Sequence, residues 1–183
     1  MANRISTRVS SLSSPLWMWA VFVILGLPAL SCQAASPAKP PDAANATYTI
    51  DRQSIALLNG SAEQSAAPGS ATKIVTELSD KQAGGDVSGD GKPDVAVVLI
   101  HAPGGSGTFY YVAAVLNDGT EKGKTTNAEL LGDRISVDKL NVVDSQIVVD
   151  YLDRRSGEPM ATPPSVKATK KFALKDGKLV AAQ

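Results

Sequence analysis

The run Asp94-Val95-Ala96-Val97-Val98-Leu99-Ile100 constrains the fold of this chain most. After its leading aspartate it is apolar at every position, whereas a strand with one wet face alternates apolar and polar side chains. Such a run predicts a central strand covered on both faces. Residues 109–116, Phe-Tyr-Tyr-Val-Ala-Ala-Val-Leu, are its expected neighbour across the connection 102–108, and the pair would form the hydrophobic heart of a sheet. Around it lie further short apolar runs separated by turn chemistry. Residues 48–50 and 55–58 flank Asp51-Arg52-Gln53 as a first hairpin, ending at Asn59-Gly60. Residues 73–78 suit a strand or a helical turn, and 128–131 and 135–137 are short strands. Residues 140–143 and 147–152 flank Asp144-Ser145-Gln146, and 172–174 and 178–180 flank Asp176-Gly177, the strongest hairpin signal in the chain. Together these predict a mainly β domain, an antiparallel sandwich or rolled sheet of about nine short strands, with α+β as the alternative.

The central run is preceded by Asp86-Val87-Ser88-Gly89-Asp90-Gly91-Lys92-Pro93-Asp94. Side-chain oxygens at Asp86, Ser88, Asp90 and Asp94, with the Lys92 carbonyl and a glycine at the bend, have the spacing by which a loop wraps calcium. The bidentate glutamate that closes an EF-hand is missing, because its place falls on Val97 inside the strand. The loop resembles the calcium loops of FG-GAP and VCBS-type β repeats, which lead from D-x-[DN]-x-D-G-x-x-D directly into apolar strand residues. It departs from them at Ser88, where an Asp or Asn is usual, and it occurs as a single copy, which argues against a propeller. A metal-free Asp/Gly turn held by side-chain hydrogen bonds is the alternative.

The amino-terminal residues address location. Arg4 and Arg8 precede an apolar stretch from Leu16 to Leu30, of a length that suits an export signal better than a membrane span. Ala29-Leu30-Ser31-Cys32 resembles the lipobox of bacterial lipoproteins, with Ala29 where leucine is usual, and makes Cys32 the expected lipidation site. Cleavage after Ala34 or Ala35, giving a soluble periplasmic or secreted protein, is the alternative. The expected organisation is a lipoprotein-type signal peptide (1–31), an Ala/Pro-rich tether (32–47) and one β-rich domain (48–183). The chain carries 18 basic and 18 acidic residues, and removing the leader leaves 16 against 18. That balance leaves no basic excess to suggest nucleic acid, and no nucleic-acid partner is expected. Lys167, Lys170 and Lys171 read as a solvated strand face.

No catalytic set emerges. His101 is the only histidine and is expected to be exposed at a strand end. Gly104-Gly105-Ser106-Gly107 lacks both the Lys-Ser/Thr ending of a phosphate loop and a following helix. Asp150, Asp153 and Glu158 near Arg154 and Arg155 are read as surface charges. The ordered succession of 85–94, 104–112, 131–135, 151–154 and Gly157-Glu158-Pro159-Met160 resembles a family of uncharacterised bacterial envelope lipoproteins, a resemblance that implies an envelope location and no activity. The expectation is a non-enzymatic, calcium-stabilised binding or structural module. It would be held to a membrane by its lipid anchor, in the periplasm-facing envelope, with an unknown envelope protein or glycan as partner. The alternative is a metal-assisted hydrolase acting on cell-wall or lipid material.

Overall fold

The structure, a computed structural model, describes residues 39–182. After a 3-10 turn at Ala43–Asn45, these residues form β-strands joined by tight turns and longer loops. The strands are β1 (Thr47–Ile50), β2 (Gln53–Ala56), β3 (Ser61–Ser65), β4 (Lys73–Gly85), β5 (Asp94–Ala102), β6 (Phe109–Leu116), β7 (Lys124–Thr125), β8 (Glu129–Asp133), β9 (Ser136–Val143), β10 (Gln146–Asp153), β11 (Val166–Lys175) and β12 (Lys178–Ala182). The central sheet has the order β3-β4-β5-β6-β7, with β8 sharing the β6 edge with β7. A four-stranded sheet runs β12-β11-β10-β9, and β1 and β2 form a separate hairpin. All strand pairs named within these sheets are antiparallel.

The expected mainly β sandwich is what the chain folds into, and its uninterrupted apolar strand lies at the centre. Alternate residues of β5 and β6 feed two different cores. Ala96, Val98, Val112 and Ala114 pack against Ile147, Val149, Tyr151, Phe172 and Leu179 of the second sheet. Val97, Leu99, Ala113 and Val115 pack instead under the hairpin residues Tyr48, Ile50 and Ile55. Each side of the central pair therefore excludes water from the other's backbone bonds.

The hairpins follow local turn chemistry. Asp51 and Arg52, Asp144 and Ser145, and Asp176 and Gly177 all have positive φ. Positive φ at both central residues matches the right-handed twist of the joined strands. Among the described residues the strands number twelve rather than about nine. β3 and β7 are polar and carry no apolar alternation, and the runs at 135–137 and 140–143 join into one strand, β9. Residues 73–78 form a strand and not a helical turn, extended through a register shift between Leu78 and Gln82. The chain is also packed earlier than a tether reaching residue 47 would allow. Pro41, Ala43 and Ala46 are buried, and the Asp42 N–H donates to the Glu121 carbonyl at 2.8 Å. Among the described residues no helix is long and apolar enough to cross a membrane.

The two sheets approach closely where β4 ends. A Cβ on Gly85 would lie 2.6 Å from the Val142 Cβ of β9, so only glycine fits beside that valine. Gly85→Ala is expected to destabilise the fold by about 1–3 kcal/mol through overpacking. Val142→Gly, which removes the Cβ and both methyl carbons that a Gly85 Cβ would meet, should relieve part of that loss in the double variant. Urea denaturation of the four members of this cycle measures the coupling, and additive losses would refute the close contact as its cause.

Candidate functional site

The aspartate loop spans the end of β4 to the first residue of β5. Gly89 and Gly91 take positive φ, which lets the chain wrap around the Asp86 carboxylate. Asp86 Oδ1 accepts the Gly89 N–H at 2.6 Å and the Asp90 N–H at 3.1 Å. The Ser88 hydroxyl donates to the same oxygen at 3.4 Å, and Oδ2 accepts from the Gly91 N–H at 2.8 Å. Val87 points the other way, into the core between the sheets.

Asp94 closes the loop from beneath. Its side chain is fully buried, and three backbone donors meet it: Val87 and Ser88 N–H on Oδ2 at 3.0 and 2.8 Å, and Asn117 N–H on Oδ1 at 2.8 Å. One carboxylate thereby ties the loop before β5 to the turn after β6. Asn117 extends the joint, its Nδ2 donating to the Lys39 carbonyl at 3.0 Å and the Pro93 carbonyl at 3.2 Å. The next turn repeats the chemistry, with the Asp118 carboxylate accepting from the Thr120 hydroxyl at 2.6 Å and the Thr120 N–H at 2.9 Å. Those bonds hold the Asp118 carboxyl below the usual carboxylate range.

Asp90 differs from its two companions. It is exposed, accepts the Lys92 N–H at 2.9 Å, and pairs with Lys92 Nζ at 3.2 Å. These contacts, the backbone one foremost, lower its carboxyl from the ordinary value. The oxygen donors of Asp86, Ser88, Asp90, Asp94 and the Lys92 carbonyl are of the class a hard cation takes. Their arrangement is a hydrogen-bonded one, and among the described residues no three His, Cys, Asp or Glu side chains are grouped to hold a metal. Asp90 is held at the surface by Lys92, with a smaller contribution from the Ser88 side chain, whereas three N–H groups fix Asp94. Cys32, the expected lipidation site, lies outside the described residues.

The expectation of an exposed His101 is overturned. The ring is 6% exposed, covered on the hairpin side of β5. Its Nδ1 lies 2.9 Å from the hydroxyl of buried Thr76, and it meets the Tyr111 ring edge to face, centroids 6.2 Å apart. The Tyr111 hydroxyl donates to Asp51 at the hairpin tip at 2.8 Å. Burial pushes His101 below its ordinary value, with Asp51 acting weakly in the opposite sense.

At the far end of β5 the glycine-rich connection meets two other motif segments. The Thr108 N–H donates to Asp133 at 2.9 Å, and the Arg134 guanidinium donates to the Ser106 carbonyl. Arg154 donates to the Thr162, Asp133 and Arg134 carbonyls at 2.5, 3.2 and 3.0 Å. Arg154 is thus a clamp on two backbone segments, residues 133–134 and Thr162, rather than a surface charge, which local sequence did not signal. Glu158 accepts the Arg155 N–H at 3.0 Å and Asp150 the Thr169 hydroxyl at 2.6 Å, so these carboxylates serve separate local contacts.

No protein-family model matches the chain, and no curated protein or solved structure matches it either.

The buried ring gives a defined pH response. Above about pH 6.5, the ordinary histidine value, folded and unfolded chains both hold His101 neutral. Below it the unfolded chain takes up a proton that the folded chain resists, so stability falls, and the loss levels off once the folded ring also charges. Chemical denaturation between pH 5 and 7.5, an interval set about the ordinary histidine value, should show this slope. His101→Gln should flatten it, and an unchanged slope in that variant would assign the effect elsewhere.

Proposed function

We propose that this chain is a non-enzymatic module of the bacterial cell envelope whose aspartate loop is a structural clamp that binds calcium. In this reading a lipid on Cys32 holds the module at a membrane, and its surface meets an envelope protein or glycan. The observation that carries the clamp is Asp94, a fully buried carboxylate joined to three backbone N–H groups from the loop before β5 and the turn after β6, which meet at one end of the central strand pair. A buried carboxylate so satisfied organises the two loops and is not presented to a substrate. Supporting calcium are the oxygen-only donor set and the wrapping of residues 88–91 around Asp86. Asp86, Ser88, Asp90, Asp94 and the Lys92 carbonyl would hold the ion, which would supply positive charge to a loop dense in carboxylates.

Supporting the envelope location is the leader of residues 1–31 followed by Cys32. The described chain begins at Lys39, whose carbonyl is bound by Asn117 beside the aspartate loop. Any anchor on Cys32 is thus joined to the domain at its clamp end.

Both halves of this reading have direct tests. The described residues carry twelve paired strands and two cores within 39–182, so a chain beginning at Ala35 serves for thermal melting. A hundredfold calcium excess over Kd stabilises by about 2.7 kcal/mol, or roughly 5–10 °C at this size. Asp90→Ala should abolish the calcium shift while leaving melting in chelator nearly unchanged. Asp94→Ala should lower melting with and without calcium, by about 3 kcal/mol or more, since three N–H groups lose their acceptor. An identical melting temperature in millimolar calcium and in chelator would remove the ion and leave the clamp. For the anchor, mass analysis of the mature protein from bacterial membranes should find a first residue Cys32 carrying a diacylglyceryl group. A free terminus at Ala35 or Ser36 would remove it.

A further inference from the structure

We infer that the outer face of the four-stranded sheet is a docking surface for an anionic phospholipid bilayer. The inward residues of β11 alternate with outward ones, and the two sets differ sharply. Phe172 enters the core, and Lys170 reaches inward, its Nζ donating to the Leu131 carbonyl at 2.8 Å and lying 5.8 Å from the Tyr151 ring centroid. The outward set holds Lys167, Lys171 and Lys175, all exposed. Lys178 of β12 and Lys139 of β9 complete the same face. Among the described residues none of these five forms an ion pair. Asp150 shares the face opposite Lys139 in register and accepts the Thr169 hydroxyl. Asp176 lies in the turn between Lys175 and Lys178, and Asp138 sits at the bulge in β9; lysines outnumber these carboxylates.

Two features separate this face from an ordinary solvated one. Lys175 and Lys178 are direct cross-strand partners, a like-charge pairing that is destabilising in a sheet and that an anion lying over the face would relieve. Lysines can also guard a free sheet edge, yet Lys167, Lys171 and Lys175 lie on an interior strand. The edge strand β12 is already bound by Asn127, whose side-chain amide pairs with the Leu179 N–H and carbonyl at 2.7 and 3.1 Å.

The apolar content of the face favours a bilayer over a polyanionic glycan. Val143 and Val180, 52% and 38% exposed, lie among the lysines, with Val148 and Leu152 partly exposed between them. Lysine stems can lie along an acyl boundary while the ammonium groups meet phosphates. Four strands make a patch about 15 Å wide, with several lysines on its one outer face. This inference rests on the envelope reading for its biological setting only. A single acyl chain holds a protein marginally, and a basic patch supplies a second contact.

Sedimentation of the chain beginning at Ala35 with vesicles tests the face independently of Cys32, which that chain lacks. Binding is expected to vesicles of phosphatidylcholine with about a third phosphatidylglycerol, not to pure phosphatidylcholine, and to weaken steeply with salt. Each lysine near an anionic surface is worth about fivefold in partitioning, so the variant K171Q/K175Q/K178Q should lose about a hundredfold. K73Q/K81Q/K122Q removes the same charge elsewhere and should lose far less. Absent binding to the anionic vesicles, or equal losses in the two variants, would overturn the inference. Retention on a sulfated glycan without vesicle binding would overturn it in favour of the glycan. A lipid-free Cys32 with vesicle binding intact would instead count against the anchor alone.

Discussion

The burial of β5 and β6 on both faces is the constraint from which the rest of the structure follows. A strand with hairpin on one side and sheet on the other has no water to satisfy its ends, and an unpaired buried N–H costs about 1–3 kcal/mol. Where β5 begins, the donors of Val87, Ser88 and Asn117 are met by the Asp94 carboxylate. Where it ends, Thr76 and His101 share a buried polar contact under the hairpin. Among the described residues no buried side-chain polar atom lacks a partner. The aspartate loop is therefore part of how a doubly covered strand can start, whatever ion it also binds.

Asparagine side chains join the layers where backbone ladders cannot. Asn117 reaches from the turn after β6 to the carbonyls of Lys39 and Pro93. Asn127 bonds the edge of β12 through its amide, while its backbone forms a parallel bridge to Thr49 of the hairpin. Each presents both donor and acceptor, so one residue can close the gap between two elements running at different heights. Arg154 does the same at the opposite end with donors only, collecting three carbonyls into one joint.

Much of the fold was legible because it rests on local chemistry. The turns at Asp51-Arg52, Asp144-Ser145 and Asp176-Gly177 need residues that accept positive φ, and that requirement is visible in three or four neighbours. The apolar runs marked the strands that line the cores. β3 and β7 were missed because Ser61–Ser65 and Lys124–Thr125 are polar edge strands whose pairing depends on a partner distant in sequence. Six added residues at the start of β11 were missed for a related reason, since outward lysines hide the inward positions between them.

The aspartate loop shows the division most clearly. From sequence alone came its turn, its glycines, its oxygen-rich composition and its junction with a strand that had to be central, all set by spacing along a few residues. That Asp94 faces inward as a shared acceptor while Asp90 faces water was decided by tertiary structure, because the Asn117 donor lies 23 residues away. His101 follows the same rule. Nothing beside it in the chain announces burial, and its environment exists only once a hairpin tip fifty residues earlier in sequence bonds to Tyr111. Local sterics can be read from neighbours, but burial and the partners of a polar group belong to segments that meet only in the folded chain.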